Sequence, residues 1–223
     1  MDGKKLLKEI NGSFRTHRNE EIAIGMENYL RNQFWCFGIK SPQRTELLRP
    51  YLISFKQLAD DQWPEAVMSL WNFPQREMQY AAMECFYKRR KDYKPEHLGL
   101  IEQMIVTKSW WDTVDFIASN ITGEFFKKYP ELIHPTVERW TKSSNFWLHR
   151  VTIIFQLKYG VKTDKELLFK LCTLHSREKE FFIRKAIGWA LRQFSKSNPA
   201  DVRKYVKSHY LSPLSLKEAS KYI

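Results

Sequence analysis

The sequence predicts an all-α fold made of stacked helix pairs, on three observations. Proline recurs where apolar periodic stretches begin or end, at Pro42, Pro50, Pro64, Pro74, Pro95, Pro130, Pro135, Pro199 and Pro213. The alternating Val/Ile/Thr runs between turn signals that mark strands are missing. Third, the chain resembles itself at a spacing of 35 residues. Moved forward by 35, FWLHRVTIIFQLKY (146–159) meets FFIRKAIGWALRQF (181–194), so that Leu148 falls on Ile183, Arg150 on Lys185 and Val151 on Ala186.

Moved back by the same step, Arg150 meets Asp115 within WWDTVDFIASNI and Val151 meets Phe116; one step further gives Tyr80, with Ala81 under Val151. Four helices at this period, each with an intervening partner, describe a right-handed-type α-solenoid of HEAT-like helix pairs with a basic concave face. Individual elements carry their own signals. Roughly a dozen helices of about 10 to 18 residues fit between the prolines. Thr163-Asp164-Lys165-Glu166 has the form of a capping box before Leu167, Leu168 and Phe169. Ser197-Asn198-Pro199 sets a polar cap before a proline suited to the first helical turn. Leu148, Val151 and Phe155, with Ile183, Ala186, Ile187 and Ala190, follow the spacing of a buried helical stripe. At 223 residues the chain reads as one repeat domain, 1–223.

Composition narrows the function classes. Lys and Arg number 37 against 25 acids, a formal charge of +12, which points to a polyanionic partner with nucleic acid ahead of a membrane surface. Eight glycines leave little room for a phosphate-cradling loop, and no GxGxxG or GxxxxGK occurs. Cys36, Cys85 and Cys172 lie far apart without a CxxC, so neither a disulfide framework nor a structural zinc site is expected. His17, His97, His134, His149, His175 and His209 show no HxH or HxxxH spacing, so no metal, cofactor or thiol chemistry is expected either. The charged opening MDGKKLLKEI has no apolar core of a signal peptide, and no run of about 18 apolar residues occurs, so the expected location is cytoplasmic with no membrane partner. Without heptads, a monomer is expected.

The repeated face carries a distinctive chemistry. Trp111 lies four residues before Asp115 and shares its helix face; Arg150 and Lys158 are eight apart; Lys185, Trp189 and Arg192 share one face of the last repeated helix. Residues 142–207 hold 15 Lys or Arg against 5 Asp or Glu, a net of +10. Such a field attracts a phosphate backbone, although a merely solvated basic face is its plain alternative. Trp35, Trp63, Trp71, Trp110, Trp140 and Trp147 are expected in the core. Trp189, flanked by Lys185 and Arg192, and Trp111, beside Asp115, are expected on the face, where indole rings next to a carboxylate can embrace a cationic group.

KSWWDTVDFIA (108–118), NFWLHRVTIIFQLKY (145–159), FFIRKAIGWALR (181–192) and MENYLRNQFWCFGIKSPQR (26–44) resemble the DNA alkylation repair glycosylases of the AlkD type, over nearly the whole chain. The resemblance implies a HEAT-like solenoid that hydrolytically removes positively charged N-alkylated purines, such as 3-methyladenine and 7-methylguanine, from double-stranded DNA in base excision repair. By position it implies Asp115 as the catalytic carboxylate, Trp111 and Trp189 as the aromatic pair against the lesion's deoxyribose and backbone, and Tyr29 near the lesion. Arg150, Lys158 and Arg192 match residues that grip phosphates, and Lys185 is read from the ladder as a further phosphate contact.

The chemistry accounts for a sparse site. Breaking an N-glycosidic bond builds positive charge on the sugar. A base already alkylated to a cation leaves as a neutral molecule, so a general acid is dispensable and one carboxylate suffices to stabilise the sugar and position water. Asp112 is the nearest rival to Asp115, but it sits about 100° further round the helix from Trp111 and off the ladder. Two other readings stay open: a non-catalytic HEAT-like scaffold for nucleic acid or an acidic peptide, and a lyase step through a lysine. Asp115 speaks against the first, because a carboxylate on a basic face weakens phosphate binding. No lysine is singled out for the second, since Lys158 and Lys185 are equally explained by phosphates.

Overall fold

The computed structural model describes residues 3–223. Its helices in chain order are α1 (Gly3–Thr16), α2 (Glu20–Tyr29), α3 (Ser41–Lys56), α4 (Gln62–Asn72), α5 (Arg76–Lys88), α6 (His97–Val106) and α7 (Trp111–Phe116). There follow α8 (Gly123–Lys128), α9 (Ile133–Thr141), α10 (Phe146–Ile154), α11 (Lys165–Leu174), α12 (Phe181–Ser195), α13 (Pro199–Ser208) and α14 (Pro213–Ala219). No strand is formed among the described residues, and none of their helices is long and apolar enough to cross a membrane. The all-α expectation holds: the fold is an α-solenoid of HEAT-like helix pairs. The chain groups into two compact units, one up to Leu100 and one from Ile101 to Ile223, with the boundary inside α6.

In the first unit α1 packs on α3 and on α4, α3 packs on α5, and α4 pairs with its neighbour α5. Leu6, Ile10 and Phe14 recur every four residues along α1 and are fully buried. Asn19 caps α2 by accepting from the Ile22 N–H at 3.0 Å. That helix ends where Arg31 and Asn32 enter the left-handed region, each at φ 55°. The extended segment that follows is held from below. Glu77, in the first turn of α5 and fully buried, accepts the backbone N–H of Phe37 (2.9 Å), Gly38 (2.9 Å) and Ile39 (3.1 Å). Glu27 takes the N–H of Cys36 at 2.8 Å, and the Arg76 guanidinium lies 3.8 Å from the Phe34 ring centroid. Gly38 has φ +86°, and a Cβ there would stand 1.9 Å from the Asn19 carbonyl oxygen. The segment 26–44 is therefore one anchored unit, and it leaves Tyr29 and Trp35 68% and 69% exposed.

In the second unit the stacked row is α7, α10, α12 and α14, joined by α9, α11 and α13 on the other side of each pair. The α7–α8 stretch is one helical run interrupted by a π-helical turn, Ile117–Thr122. Ser119 Oγ donates to the Asp115 carbonyl (2.8 Å) and Asn120 Nδ2 to the Phe116 carbonyl (3.1 Å) within it. Gly188 lets α12 and α14 approach: a Cβ there would lie 2.5 Å from Glu218 Cβ and 2.9 Å from the Ser215 carbonyl oxygen.

Several local expectations are corrected. Pro50 lies inside α3, not at a boundary. Asp164, rather than Thr163, caps α11, accepting from the Leu167 N–H at 3.0 Å, while the Thr163 hydroxyl donates back to the Gly160 carbonyl at 2.8 Å. Asn198 caps α13 in position only, with no side-chain bond, and Pro199 opens the helix as expected. Trp63, Trp71, Trp140 and Trp147 are buried and Trp110 half-buried, but Trp35 is out in solvent because Glu77 and the bond from the Arg76 N–H to its carbonyl (2.8 Å) fix the backbone and leave the ring outside.

Replacing Glu77 by Ala strands three buried N–H groups, each costing about 1–3 kcal/mol when left unpaired. Denaturant unfolding should show Glu77→Ala destabilised by at least about 3 kcal/mol, with exposed Glu46→Ala as the near-neutral control. Equal midpoints for the two variants would remove the anchoring role of Glu77.

Candidate active site

The 35-residue ladder is a physical contact. Asp115 on α7 and Arg150 on α10 face each other as a two-pronged ion pair, Nε to Oδ1 at 2.7 Å and Nη2 to Oδ2 at 2.9 Å. The third guanidinium nitrogen, Nη1, donates to the Phe182 carbonyl in the first turn of α12. Arg150 thus joins three members of the stacked row. Its side chain is 5% exposed against 18% for Asp115, so the carboxylate is the more accessible end of the pair. Around it lies an aromatic cluster: Phe182 is 5.4 Å from Trp110 and 4.9 Å from Trp147 between ring centroids, and 5.9 Å from the Arg150 guanidinium.

Burial pushes the Asp115 carboxyl above the usual carboxylate range, the two bonds from Arg150 pull it back, and nearby Asp112 adds to the upward push. Arg150 was expected at a phosphate. In the structure each nitrogen of its fork makes a bond within the protein and the side chain is almost fully covered. It is placed as the support of Asp115.

The other cations are arranged differently. Lys158, exposed in the turn after α10, donates to Asn120 Oδ1 in the π-helical turn at 2.5 Å. Lys185 and Arg192 on α12 both reach Glu218 of α14, at 3.1 and 2.6 Å, and Lys221 joins them at 3.0 Å. Hydrogen bonds from Lys221 and Lys185 hold the Glu218 carboxyl down at about 2. The sequence reading did not single out Glu218, which falls 33 residues after Lys185, close to the next step of the ladder. Trp111 is the first residue of α7 and Trp189 lies between Lys185 and Arg192 on α12; both are half-buried. Asp112 is half-buried in the first turn of α7.

In the first unit, Tyr29 lines an open cavity of about 590 Å³ together with Met26, Lys40 and Tyr80, the ladder residue of that unit. The Tyr80 ring is 4.5 Å from the Arg44 guanidinium. One further grouping was invisible in the sequence. A ring nitrogen of His149, one of His175 and a carboxylate oxygen of Glu178 all lie within 4.8 Å of one another, although α11 separates the two histidines in the chain.

A family model described as DNA alkylation repair enzyme matches residues 10–223. A solved structure described as a predicted DNA alkylation repair enzyme from Enterococcus faecalis is 31% identical, with 92% of this chain and 96% of that one covered at a TM-score of 0.87. A crystal structure of a Streptococcus mutans UA159 protein shares the fold at 22% identity and a TM-score of 0.64, over 89% of this chain and 99% of that one. No curated protein matches the chain. With a family model spanning nearly its whole length, this chain belongs to the DNA alkylation repair enzyme family.

Proposed function

We propose that the protein is a monofunctional DNA glycosylase that hydrolyses the N-glycosidic bond of positively charged N-alkylated purines, 3-methyladenine and 7-methylguanine among them, in double-stranded DNA. The observation that carries this reading is the Asp115–Arg150 pair, in which the carboxylate is the more exposed end. A carboxylate has about four lone-pair sites. Arg150 occupies two, one on each oxygen, and two remain for a water and for the sugar as it gains charge. The rigid fork of Arg150 fixes the carboxylate before the reaction, which is when electrostatic stabilisation is most effective. A cationic base departs neutral, so no second acid is required.

Trp111 and Trp189 are assigned to the lesion's deoxyribose and backbone, and Tyr29 to the lesion's vicinity. Arg150, Lys158, Lys185 and Arg192 are assigned to phosphates, with residues 1–223 working as one monomeric unit on DNA in the cytoplasm. The ammonium groups of Lys158 and Lys185 are hydrogen-bonded to Asn120 and Glu218. That suits charge contacts better than a Schiff-base nucleophile, which must be deprotonated.

Base release from methylated duplex DNA is expected for the wild type and should fall by about 10²- to 10³-fold in Asp115→Asn, with DNA binding retained and folding checked by circular dichroism. Activity needs the carboxylate form. Because burial raises its pKa, the acid limb of kcat/KM should lie above the ordinary aspartate range, with activity lost as pH falls through it. Undiminished release by Asp115→Asn would defeat the assignment. Salt-sensitive binding with no release by the wild type would favour the scaffold reading.

Binding itself gives a second test. Arg192→Ala should weaken DNA affinity and reduce the slope of log K against log salt by about 1. Glu218→Gln should do the opposite, because it releases Lys185, Arg192 and Lys221 from their shared carboxylate. Identical salt slopes for all three proteins would place phosphate contact elsewhere.

A further inference from the structure

We propose a divalent transition-metal site formed by His149, His175 and Glu178, with Zn²⁺ as the fitting ion, separate from the reacting centre and serving to tie α10 to the turn between α11 and α12. The three side chains come from different places. His149 lies on α10, His175 directly follows α11, and Glu178 stands in the turn before α12. The N–H of Glu178 bonds the His175 carbonyl at 3.1 Å, which folds the turn back so that the acid lies over the histidine.

The donor chemistry is prepared on both imidazoles. His149 Nε2 lies 2.7 Å from the Ser143 carbonyl oxygen. A carbonyl only accepts, so Nε2 carries the hydrogen and Nδ1 presents its lone pair. Metal-bound histidines are oriented by this same type of bond from the second ring nitrogen to a backbone carbonyl. His175 is 3% exposed, and its Nε2 has no hydrogen-bond partner in the protein, an unmet need in a covered position. The two rings stack at 4.8 Å between centroids, 29° from parallel. Glu178 supplies an anionic oxygen within a basic segment, next to Arg177 and Lys179.

Two imidazoles and one carboxylate suit zinc and its neighbours, whereas Mg²⁺ and Ca²⁺ favour all-oxygen sets. Bonds of about 2.0–2.2 Å need the donors closer than the present 4.8 Å limit, and the exposed Glu178 side chain is free to supply that closure. The ion would brace the turn whose Glu180 caps α12 and whose next residue but one, Phe182, receives Arg150. His149 sits one residue, about 100° of helix, from Arg150. The ion therefore acts on the frame behind Asp115 and takes no part in bond cleavage.

The test is a Zn²⁺ titration of the untagged protein against a chromophoric chelator, with thermal unfolding in parallel. One equivalent should bind and raise the melting temperature. Glu178→Gln, an exposed change that leaves the fold intact, should weaken the affinity by at least about tenfold, and His175→Ala should abolish it. Fewer than one equivalent bound, or an affinity unchanged by Glu178→Gln, overturns the site. Base release by Glu178→Gln should equal that of the wild type at saturating substrate, which separates this result from any failure of the glycosylase reading.

Discussion

The second unit is organised around one half-buried carboxylate and the guanidinium that holds it. An unpaired charge at the depth of Asp115 would be costly, and an unpaired Arg150 more so. The bidentate geometry meets both needs at once and leaves a third nitrogen for the Phe182 carbonyl, so α7, α10 and α12 are bound in register by a single side chain. The aromatic cluster of Trp110, Trp147 and Phe182 limits water around that pair and keeps its dipole strong. Removal of the Arg150 guanidinium therefore disturbs the packing of the row as well as any chemistry performed at the carboxylate.

The period of 35 residues was legible because the apolar stripe has to recur wherever one helix stacks on the next: Leu148, Val151, Ile183 and Ala186 are all in the core. What the period could not convey is that equal spacing makes ladder residues touch. Asp115 and Arg150 were read as two independent functional positions, a catalyst and a phosphate contact, and in the structure they form one unit. Likewise, Lys185 and Arg192 were read as phosphate contacts without their shared carboxylate, because Glu218 lies on α14, beyond the last recognised repeat. Glu77 gave no signal at all. Its carboxylate serves backbone N–H groups 38 to 40 residues away, and such partners leave no trace in side-chain patterning. The exposure of Trp35 follows from that anchor, against the general tendency of tryptophan to be buried. The histidine pair escaped notice for a related reason: linear spacing detects ligands on one helix, whereas His149 and His175 meet across two.

The same ladder position is filled by Arg at 150 and Lys at 185, and the difference follows from their surroundings. Asp115 is half-buried and Arg150 meets both of its oxygens in a fixed plane, which a guanidinium does and an ammonium does not. Glu218 is shared among Lys185, Arg192 and Lys221, whose side chains are between a quarter and a half exposed. There a flexible ammonium is adequate, and it can exchange its carboxylate for another anion without leaving a buried charge behind. One carboxylate among three cations leaves a surplus of positive charge at that end of the row, while the Asp115–Arg150 pair is internally balanced. Under the proposed function, that division between a fixed balanced pair and an adaptable positive cluster separates the charge that would attract an anionic backbone from the carboxylate that would act on it.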